Sequence, residues 1–358
     1  MFAAVALMTG ITSCSKDGNE VYPGAGQGEK ATLNITLDTP ASVRSTGAAP
    51  TTDNTITEFT AFVIDNGGNV AWETHVVGTA LTNFSVTTAA TEIYVIANGG
   101  DQTGNYATKT ALLAATEDLG AMYTKRPASG SSTINWNGGT TASVPVTLQF
   151  IAARITVKVD NQMSGYDGTT ANTVIINDIA VLNARGQSKF FGSSLVPAAY
   201  AANKTYMMGF ANPTPPLAGY PGAGDFTVDA TNLADAYTLA VSPLTSDFYY
   251  YVYETDALSA SNPATIVALV GTDVNGDPAY WPVHLTTSED WANGTGVNMT
   301  ADKIERGKSY NIVITLTGDA TSGNGGGTTD PFKPVVSATI SATLTLTDWD
   351  PVLLQKEF

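Results

Sequence analysis

Apolar and polar residues alternate through much of this chain. Near its end, residues 337–350 read SATISATLTLTDWD. Ala338, Ile340, Ala342, Leu344 and Leu346 fall on one side of an extended backbone, and Thr339, Ser341, Thr343, Thr345 and Thr347 on the other. The same period of two governs residues 31–38, ATLNITLD, where Leu33, Ile35 and Leu37 alternate with Thr32, Asn34 and Thr36. Two look-alike strands therefore stand at opposite ends of the sequence.

Between them the pattern predicts a succession of strands. ITEFTAFVID (56–65) and VAWETHVV (70–77) flank Asn66-Gly67-Gly68-Asn69, a strong hairpin signal. LTNFSVTT and TEIYVIANG (91–99) continue the sheet, and SVPVTLQF closes the first half. Residues 107–119, ATKTALLAATEDL, give the best helical period, with Leu112, Ala115 and Leu119 on one face. A second β region opens near residue 149. RITVKVDN, NTVIINDIAVLNARG and SDFYYYVYET read as strands, ATIVALVGT and AYWPVHLTT as a hairpin, and KSYNIVITLTG (308–318) as the strand that follows. GDATSGNGGGTTDPFKP (318–334), rich in glycine and polar residues, reads as a linker to the last strand. PASVRSTGAAPTTDN (40–54) reads as an exposed loop with one basic residue, Arg44.

Composition fits this pattern. With 358 residues the chain exceeds one compact core, so two domains are expected. Only 13% of residues are charged, and 34 glycines and 17 prolines break up short Thr-, Val- and aromatic-rich runs, which favours an all-β chain. The formal charge of −16 argues against nucleic acid and against docking on anionic lipid. No stretch after the first residues is apolar for long enough to span a membrane as a helix.

The one cysteine, Cys14, excludes an intrachain disulfide. MFAAVALMTGITS before it reads as the end of a signal peptide, although no Lys or Arg precedes Cys14. Ile11-Thr12-Ser13-Cys14 resembles a bacterial lipobox, in which small residues precede a thiol that takes a lipid, and the SKDGNE that follows resembles a surface-export signal. Cys14 is the expected lipidation site, and residues 15–30 the tether.

Candidate catalytic chemistry is thin. His75 and His284 are the two histidines, and both lie in strand-like runs. No Gly-x-Ser-x-Gly elbow and no paired carboxylates stand out. Asp273-Val274-Asn275-Gly276-Asp277 lacks calcium-loop spacing and reads as a turn. Asn98-Gly99-Gly100-Asp101 lacks a phosphate-loop continuation. The run Phe248-Tyr249-Tyr250-Tyr251-Val252-Tyr253 offers a sugar-stacking surface as an alternative to a core strand. No catalytic residue, metal ligand or cofactor is assigned.

FTAFVIDNGGNV, IYVIAN, AARITVKV, FYYYVYET, IERGKSYNIVITLTG and the ending TLTLTDWDPVLLQKEF, taken in this order, resemble the Bacteroidales fimbrillins, the type V pilins of the FimA kind. The resemblance runs from Cys14 to Phe358. It implies an all-β chain of two tandem transthyretin-like β-sandwich domains with few short helices, plus a C-terminal donor segment. Residues 1–30 would be signal peptide and tether, 31–148 the N-terminal domain, 149–334 the C-terminal domain with its linker, and 335–358 the polymerisation strand. It further implies an outer-membrane lipoprotein precursor at the bacterial cell surface, cut by a trypsin-like, Arg-specific protease. The fitting bond is Arg44–Ser45, since Lys30–Ala31 would leave the first strand in place. Segment 31–44, carrying Leu33, Ile35 and Leu37, would then leave a groove. The donor strand of another copy, with Val336, Ala338, Ile340, Ala342, Leu344 and Leu346 followed by Trp349, would fill it. Other copies of the chain and accessory tip and anchor subunits are the implied partners.

On this reading the chain is a structural shaft subunit of a surface fimbria that supports adhesion. The alternatives are a tip or anchor fimbrillin, or a monomeric glycan-binding surface lipoprotein. In a monomeric binder the last strand pairs within its own sheet, and its deletion unfolds the protein.

Overall fold

The computed structural model describes residues 28–38, 55–118, 126–185, 187–192, 206–210, 227–228, 248–255, 265–286, 298–301, 303–330, 335, 340–348 and 352–353. Strands dominate, in two β-sandwiches. The first contains β1 (Lys30–Asp38), β2 (Thr55–Ile56), β3 (Glu58–Asp65), β4 (Val70–Val77), β5 (Ala80–Thr87), β6 (Ala90–Ala97), helix α1 (Lys109–Ala114), β7 (Thr116–Asp118), β8 (Ala128–Thr133), β9 (Thr141–Thr147) and β10 (Gln149–Phe150). The second contains β11 (Ala152–Asn161), β12 (Ile175–Arg185), β13 (Gln187–Lys189), β14 (Tyr206–Phe210), β15 (Thr227–Val228), β16 (Phe248–Tyr253), β17 (Ile266–Thr272), β18 (Pro278–Thr286), β19 (Asn298–Ala301), β20 (Lys308–Leu316) and β21 (Ile340–Asp348), and β22 (Val352–Leu353) follows it.

In the N-terminal sandwich a three-stranded sheet, β5-β1-β9, faces a five-stranded sheet, β10-β8-β6-β3-β4. In the C-terminal one, β16-β11-β20-β21 faces β15-β14-β12-β17-β18-β19. The sheets change over between Phe150 and Ala152. Both domains place their opening strand in the same setting. β1 lies between antiparallel β5 and parallel β9, and β11 between antiparallel β16 and parallel β20. The last strand of the second sandwich, β21, is an addition beyond β20 at the edge of its sheet.

Local chemistry explains the turns. Asp65 closes the β3–β4 hairpin by accepting from the amides of Gly67 at 2.9 Å and Asn69 at 2.8 Å. Burial pushes its carboxyl up, but these hydrogen bonds outweigh it and hold the carboxyl below its ordinary range. Asp273 does the same for β17–β18, accepting from Asn275 N at 2.8 Å and Asp277 N at 2.9 Å, so this stretch is a turn as its spacing predicts. Gly130 in β8 admits no side chain, because a Cβ would stand 2.2 Å from the carbonyl oxygen of Thr147.

Two expectations change. The helix covers only Lys109–Ala114, capped by Thr108, whose hydroxyl accepts from Ala111 N. Leu112 is its buried contact. Residues Thr116–Asp118, expected to continue it, pair instead with β13 and tie the two halves of the chain together; that tertiary pairing overrides a helical period of barely two turns. The Gly-rich stretch expected as a linker is anchored through residue 330. Val174 N donates to Ala320 O at 2.7 Å, and Tyr280 and Thr328 exchange both backbone hydrogen bonds at 2.8 Å. Gly327 lies so close to Trp281 that a Cβ would stand 2.9 Å from its ring. Here glycine allows close packing on a neighbour as much as it allows freedom.

Candidate functional site

β1 is built to be enclosed. Leu33 and Ile35 are fully buried, and Ala31 and Leu37 nearly so. Against them pack Phe84 and Val86 of β5 and Ala142, Val144 and Val146 of β9, all buried. The even-numbered residues turn their backbone towards β9: Thr32 N donates to Thr140 O at 2.8 Å, and Leu148 N donates to Asp38 O at 2.9 Å. At the other end Thr88 N donates to Glu29 O at 2.9 Å. A β-bulge interrupts the β1–β5 ladder between Leu33 and Ile35. Asn83 stands there with a positive φ of 57°, and its amide donates to the side-chain Oδ1 of Asn34 at 2.9 Å.

β21 has the same length of nine residues but the opposite setting. It pairs antiparallel with β20 from Leu316–Ile340 to Lys308–Asp348, and among the described residues no strand pairs on its far side. Burial falls along it. Ile340 is 5% exposed, Ala342 and Leu344 are half-buried, and Leu346 is 47% exposed. Its end is fastened by surface contacts. Lys308 Nζ meets Asp348 Oδ1 at 2.5 Å, and Asn311 Nδ2 donates to Thr345 O at 3.3 Å. Beyond it, β22 pairs in parallel with β2 of the N-terminal domain. That short strand is itself pinned, since Asn98 Nδ2 donates to Thr55 O at 2.7 Å and Thr57 N donates to Asn98 Oδ1 at 3.0 Å.

The structure thus places Leu33, Ile35 and Leu37 on the buried face of β1, and Ile340, Ala342, Leu344 and Leu346 on one face of β21. Cys14, Arg44, Ser45, Val336, Ala338 and Trp349 lie outside the described residues. The Asn34–Asn83 contact and the β2–β22 pairing had no signal in the hydrophobic pattern. An isolated Asn on the outer face of a strand is unremarkable until its partner is known.

The other candidates are structural. Tyr250, Tyr251 and Tyr253 are buried core residues, and Tyr250 donates its hydroxyl to Ile179 O at 2.8 Å. His75 bridges Thr60, whose Oγ1 lies 3.2 Å from Nδ1, and Glu58, 3.5 Å from Nε2. His284 is enclosed in β18, and burial pushes its imidazole down to about 4. A cleft of about 660 Å³ opens between the domains beside Tyr94, Phe190, Phe191 and Arg306. Arg306 is fully engaged there with Glu254, Ser188 Oγ and the carbonyls of Lys189 and Phe190. Among the described residues no group of three His, Cys, Asp or Glu could hold a metal, and no helix is long and apolar enough to cross a membrane.

Comparison with known proteins agrees with this architecture. The family described as "FimA-like major fimbrial subunit protein, C-terminal domain" matches residues 152–349, and "Major fimbrial subunit protein (FimA)" matches residues 31–180. The crystal structure of a candidate cell adhesion protein from Bacteroides eggerthii DSM 20697 is 30% identical, with a TM-score of 0.68 over 92% of this chain and 98% of that one. A fimbrilin from Porphyromonas gingivalis W83 is 22% identical, with a TM-score of 0.61 over 91% of this chain and 99% of that one. No curated protein matches the chain.

Proposed function

Because the chain belongs to the FimA-like major fimbrial subunit family, we propose that it is a shaft subunit that polymerises by exchanging its first strand for the last strand of another copy. Membership makes it a fimbrial subunit of the cell surface and a structural protein, not an enzyme. The strand exchange, the shaft position and the maturation of the precursor are the proposal.

One observation carries it: β1 is a central strand whose apolar face is wholly enclosed, whereas β21 is an edge strand whose apolar face is half in solvent. Loss of β1 would strip β5 and β9 of a shared partner and open the sites of Ala31, Leu33, Ile35 and Leu37, of which the three leucine and isoleucine sites are each worth roughly 1.5–3 kcal/mol when refilled by a side chain of that size. Its unpaired backbone groups would add the usual template for an incoming strand. β21 loses less on leaving its seat, since it gives up one ladder and partial burial. The exchange therefore runs downhill once β1 is cut free. Its release needs cleavage in 39–54, for which Arg44–Ser45 is the proposed bond. Cys14 is the proposed lipid anchor of the precursor, lost with that cut.

The pairing of β21 within its own sheet is also what a monomeric glycan binder would have. Deletion separates the two. A chain lacking 335–358 should stay folded as a monomer if the strand serves a neighbour, and should unfold if it serves only its own domain. The direct test is negative-stain microscopy of the protease-treated protein with N-terminal sequencing. Filaments whose subunits begin Ser45-Thr46-Gly47 are the expected result. Monomers alone, or a start before Leu33, would overturn the reading. Cys14→Ala should abolish lipid labelling, and palmitate incorporation into that variant would sink the anchor assignment.

A further inference from the structure

We propose that residues 187–192 form an interdomain clamp, closed by Arg306, that holds the two sandwiches as one rigid body. The chain passes from the first sandwich to the second at residues 150–152. A cleft of about 660 Å³ opens between the domains beside Arg306, so they do not meet there in continuous packing. A short extended crossing resists separation but leaves the angle between two domains free. Something else has to fix that angle.

β12 lies in the second sandwich and ends at Arg185, yet Gln187–Lys189 pair with β7 of the first. Beyond them Phe190 N donates to Ala115 O at 3.2 Å. Phe190 and Phe191 are buried, and the Phe191 ring meets Tyr94 edge-on with 5.1 Å between centroids. This segment belongs to one domain by chain order and to the other by its contacts. Arg306, in the turn before β20, ties it back to the second domain. Its Nε donates to Glu254 Oε2 at 2.9 Å, and its Nη2 to the other carboxylate oxygen. The rest of the fork grips the segment: Nη2 donates to Ser188 Oγ at 3.3 Å and Lys189 O at 3.2 Å, and Nη1 to Phe190 O at 3.3 Å. The Phe190 carbonyl also accepts from Ser129 Oγ of β8. One oxygen is therefore held from both domains at once. Of the cationic side chains, only the planar guanidinium can reach the carboxylate on one edge and the segment's acceptors on the other, because an ammonium carries its donors on a single atom.

The clamp's role under load rests on the strand-exchange reading. Tension in such a fibre enters through the groove of the first domain and leaves through the last strand of the second. On its way it crosses residues 150–152. The β2–β22 pairing also ties the domains together, but it departs with the tail when β21 is given to a neighbour. The clamp stays, since none of its residues lies in β1 or in the tail. It keeps the two sandwiches from turning about Ile151 when the fibre is pulled, and Arg306 is its positioning residue.

The test is single-molecule energy transfer between dyes on Val77→Cys of the first domain and Lys158→Cys of the second, both exposed positions, in a Cys14→Ser chain. With Arg306 in place the full chain should give one narrow distance distribution, before and after protease treatment. Arg306→Lys keeps a positive charge beside Glu254 but loses the fork. It should raise the population at other distances about tenfold, the size expected from losing one charge-assisted hydrogen bond. Ser129→Ala should raise it less, and the double variant no more than Arg306→Lys alone, because both act through the Phe190 carbonyl. Hydrogen exchange of β3 and β17 should stay native, which general destabilisation would not allow. An unchanged distribution in Arg306→Lys, or additive effects in the double variant, would overturn the clamp. If Arg306→Lys does not fold, Glu254→Gln loosens the arginine without removing it and should widen the distribution in the same way; a native distribution there would overturn the clamp as well. Arg306→Lys filaments should form with a shorter persistence length by microscopy. Filaments as stiff as the native ones, built from monomers that open, would overturn the role under load. A native chain that makes no filaments would remove the strand-exchange reading, and the role under load with it, while the distance distributions would still decide the clamp.

Discussion

Leu346 and Tyr310 stand opposite each other across the β20–β21 pairing, on the core-facing side of one sheet, yet Tyr310 is fully buried and Leu346 is 47% exposed. Leu37, near the corresponding end of β1, is 3% exposed. A leucine left half in water at the end of an otherwise apolar row is a poor fit to its present seat and a good fit to an enclosed one.

This difference makes Leu346 a sharper probe of assembly than Ile340. Ile340 is buried opposite Leu316 in the monomer, so Ile340→Asp disturbs the seat of β21 in its own domain as well as any seat in a neighbour. Leu346→Asp places its charge largely in solvent in the monomer and in an apolar groove after exchange. The monomer's Tm should move by no more than a few degrees, while filament length by microscopy should collapse. Filaments of native length from Leu346→Asp would show that this residue is not enclosed by a neighbour. Thr339→Asp, on the other parity, is the control expected to polymerise.

The fastening of β21 at its C-terminal end should be adjustable. Lys308 and Asp348 form a surface ion pair, with 57% of the Asp348 side chain exposed, so the contact is worth little to global stability. It does hold the strand end at the point where burial is weakest. Asp348→Asn should leave the melting temperature nearly unchanged, raise hydrogen exchange of the 344–348 amides about two- to fivefold, and shorten the lag before filaments appear. Unchanged exchange would mean that the ladder to β20 alone controls release.

The alternation of residues disclosed the strands because a strand with one face buried must repeat every two residues. Leu33, Ile35 and Leu37 could therefore be placed on one buried face before any coordinates. What alternation cannot carry is which strand lies beside which. Nothing in ATLNITLD says that it sits between β5 and β9, or in ATISATLTL that it lies on an edge, because both have the same local pattern. β8, Ala128–Thr133, carries no such signal because Ser, Gly and Thr fill it, and Gly130 approaches Thr147 where a side chain would not fit. The engagement of Arg306 with Glu254 spans 52 positions in sequence, beyond the reach of any local signal.

The buried imidazole of His284 gives a pH dependence of known sign. Burial lowers it from 6.5 to about 4, so it is neutral in the folded chain at pH 5 while the unfolded chain binds a proton there. Stability is complete above about 6.5 and is lost as the pH falls towards 4, by on the order of 3 kcal/mol at most. Thermal melts from pH 7.5 to pH 4 should show Tm falling through this window. His284→Gln should flatten the fall, leaving the smaller contributions of Asp65 and Asp273, whose lowered carboxyls act at more acidic pH. A native curve that is flat between 6.5 and 4 would remove His284 as the cause.

The outer edge of β9 tests whether strand addition is confined to the groove. In β9 the even-numbered residues turn their backbone to β1, as the hydrogen bonds from Thr32 N to Thr140 O and from Leu148 N to Asp38 O fix. Pro145 is odd-numbered, so the N–H that it lacks would have pointed away from β1, to the open side of the sheet. A proline there breaks the ladder that any added strand would need. The C-terminal domain supplies the contrast: β20 is likewise the parallel neighbour of its domain's first strand, contains no proline, and does take a further strand, β21, on its outer edge. Pro145 therefore acts against strand addition on the outer edge of β9. Pro145→Thr restores the missing donor on a solvent-facing position without touching the buried Val144 or Val146. The variant should fold with a Tm within a few degrees of the native chain. It should also bind a peptide of residues 335–351 before protease treatment, which the native precursor should not do. On microscopy, cleaved Pro145→Thr should give branched or laterally joined filaments in place of single ones. Unbranched filaments, with no peptide bound by the uncut variant, would show that some other feature closes this edge.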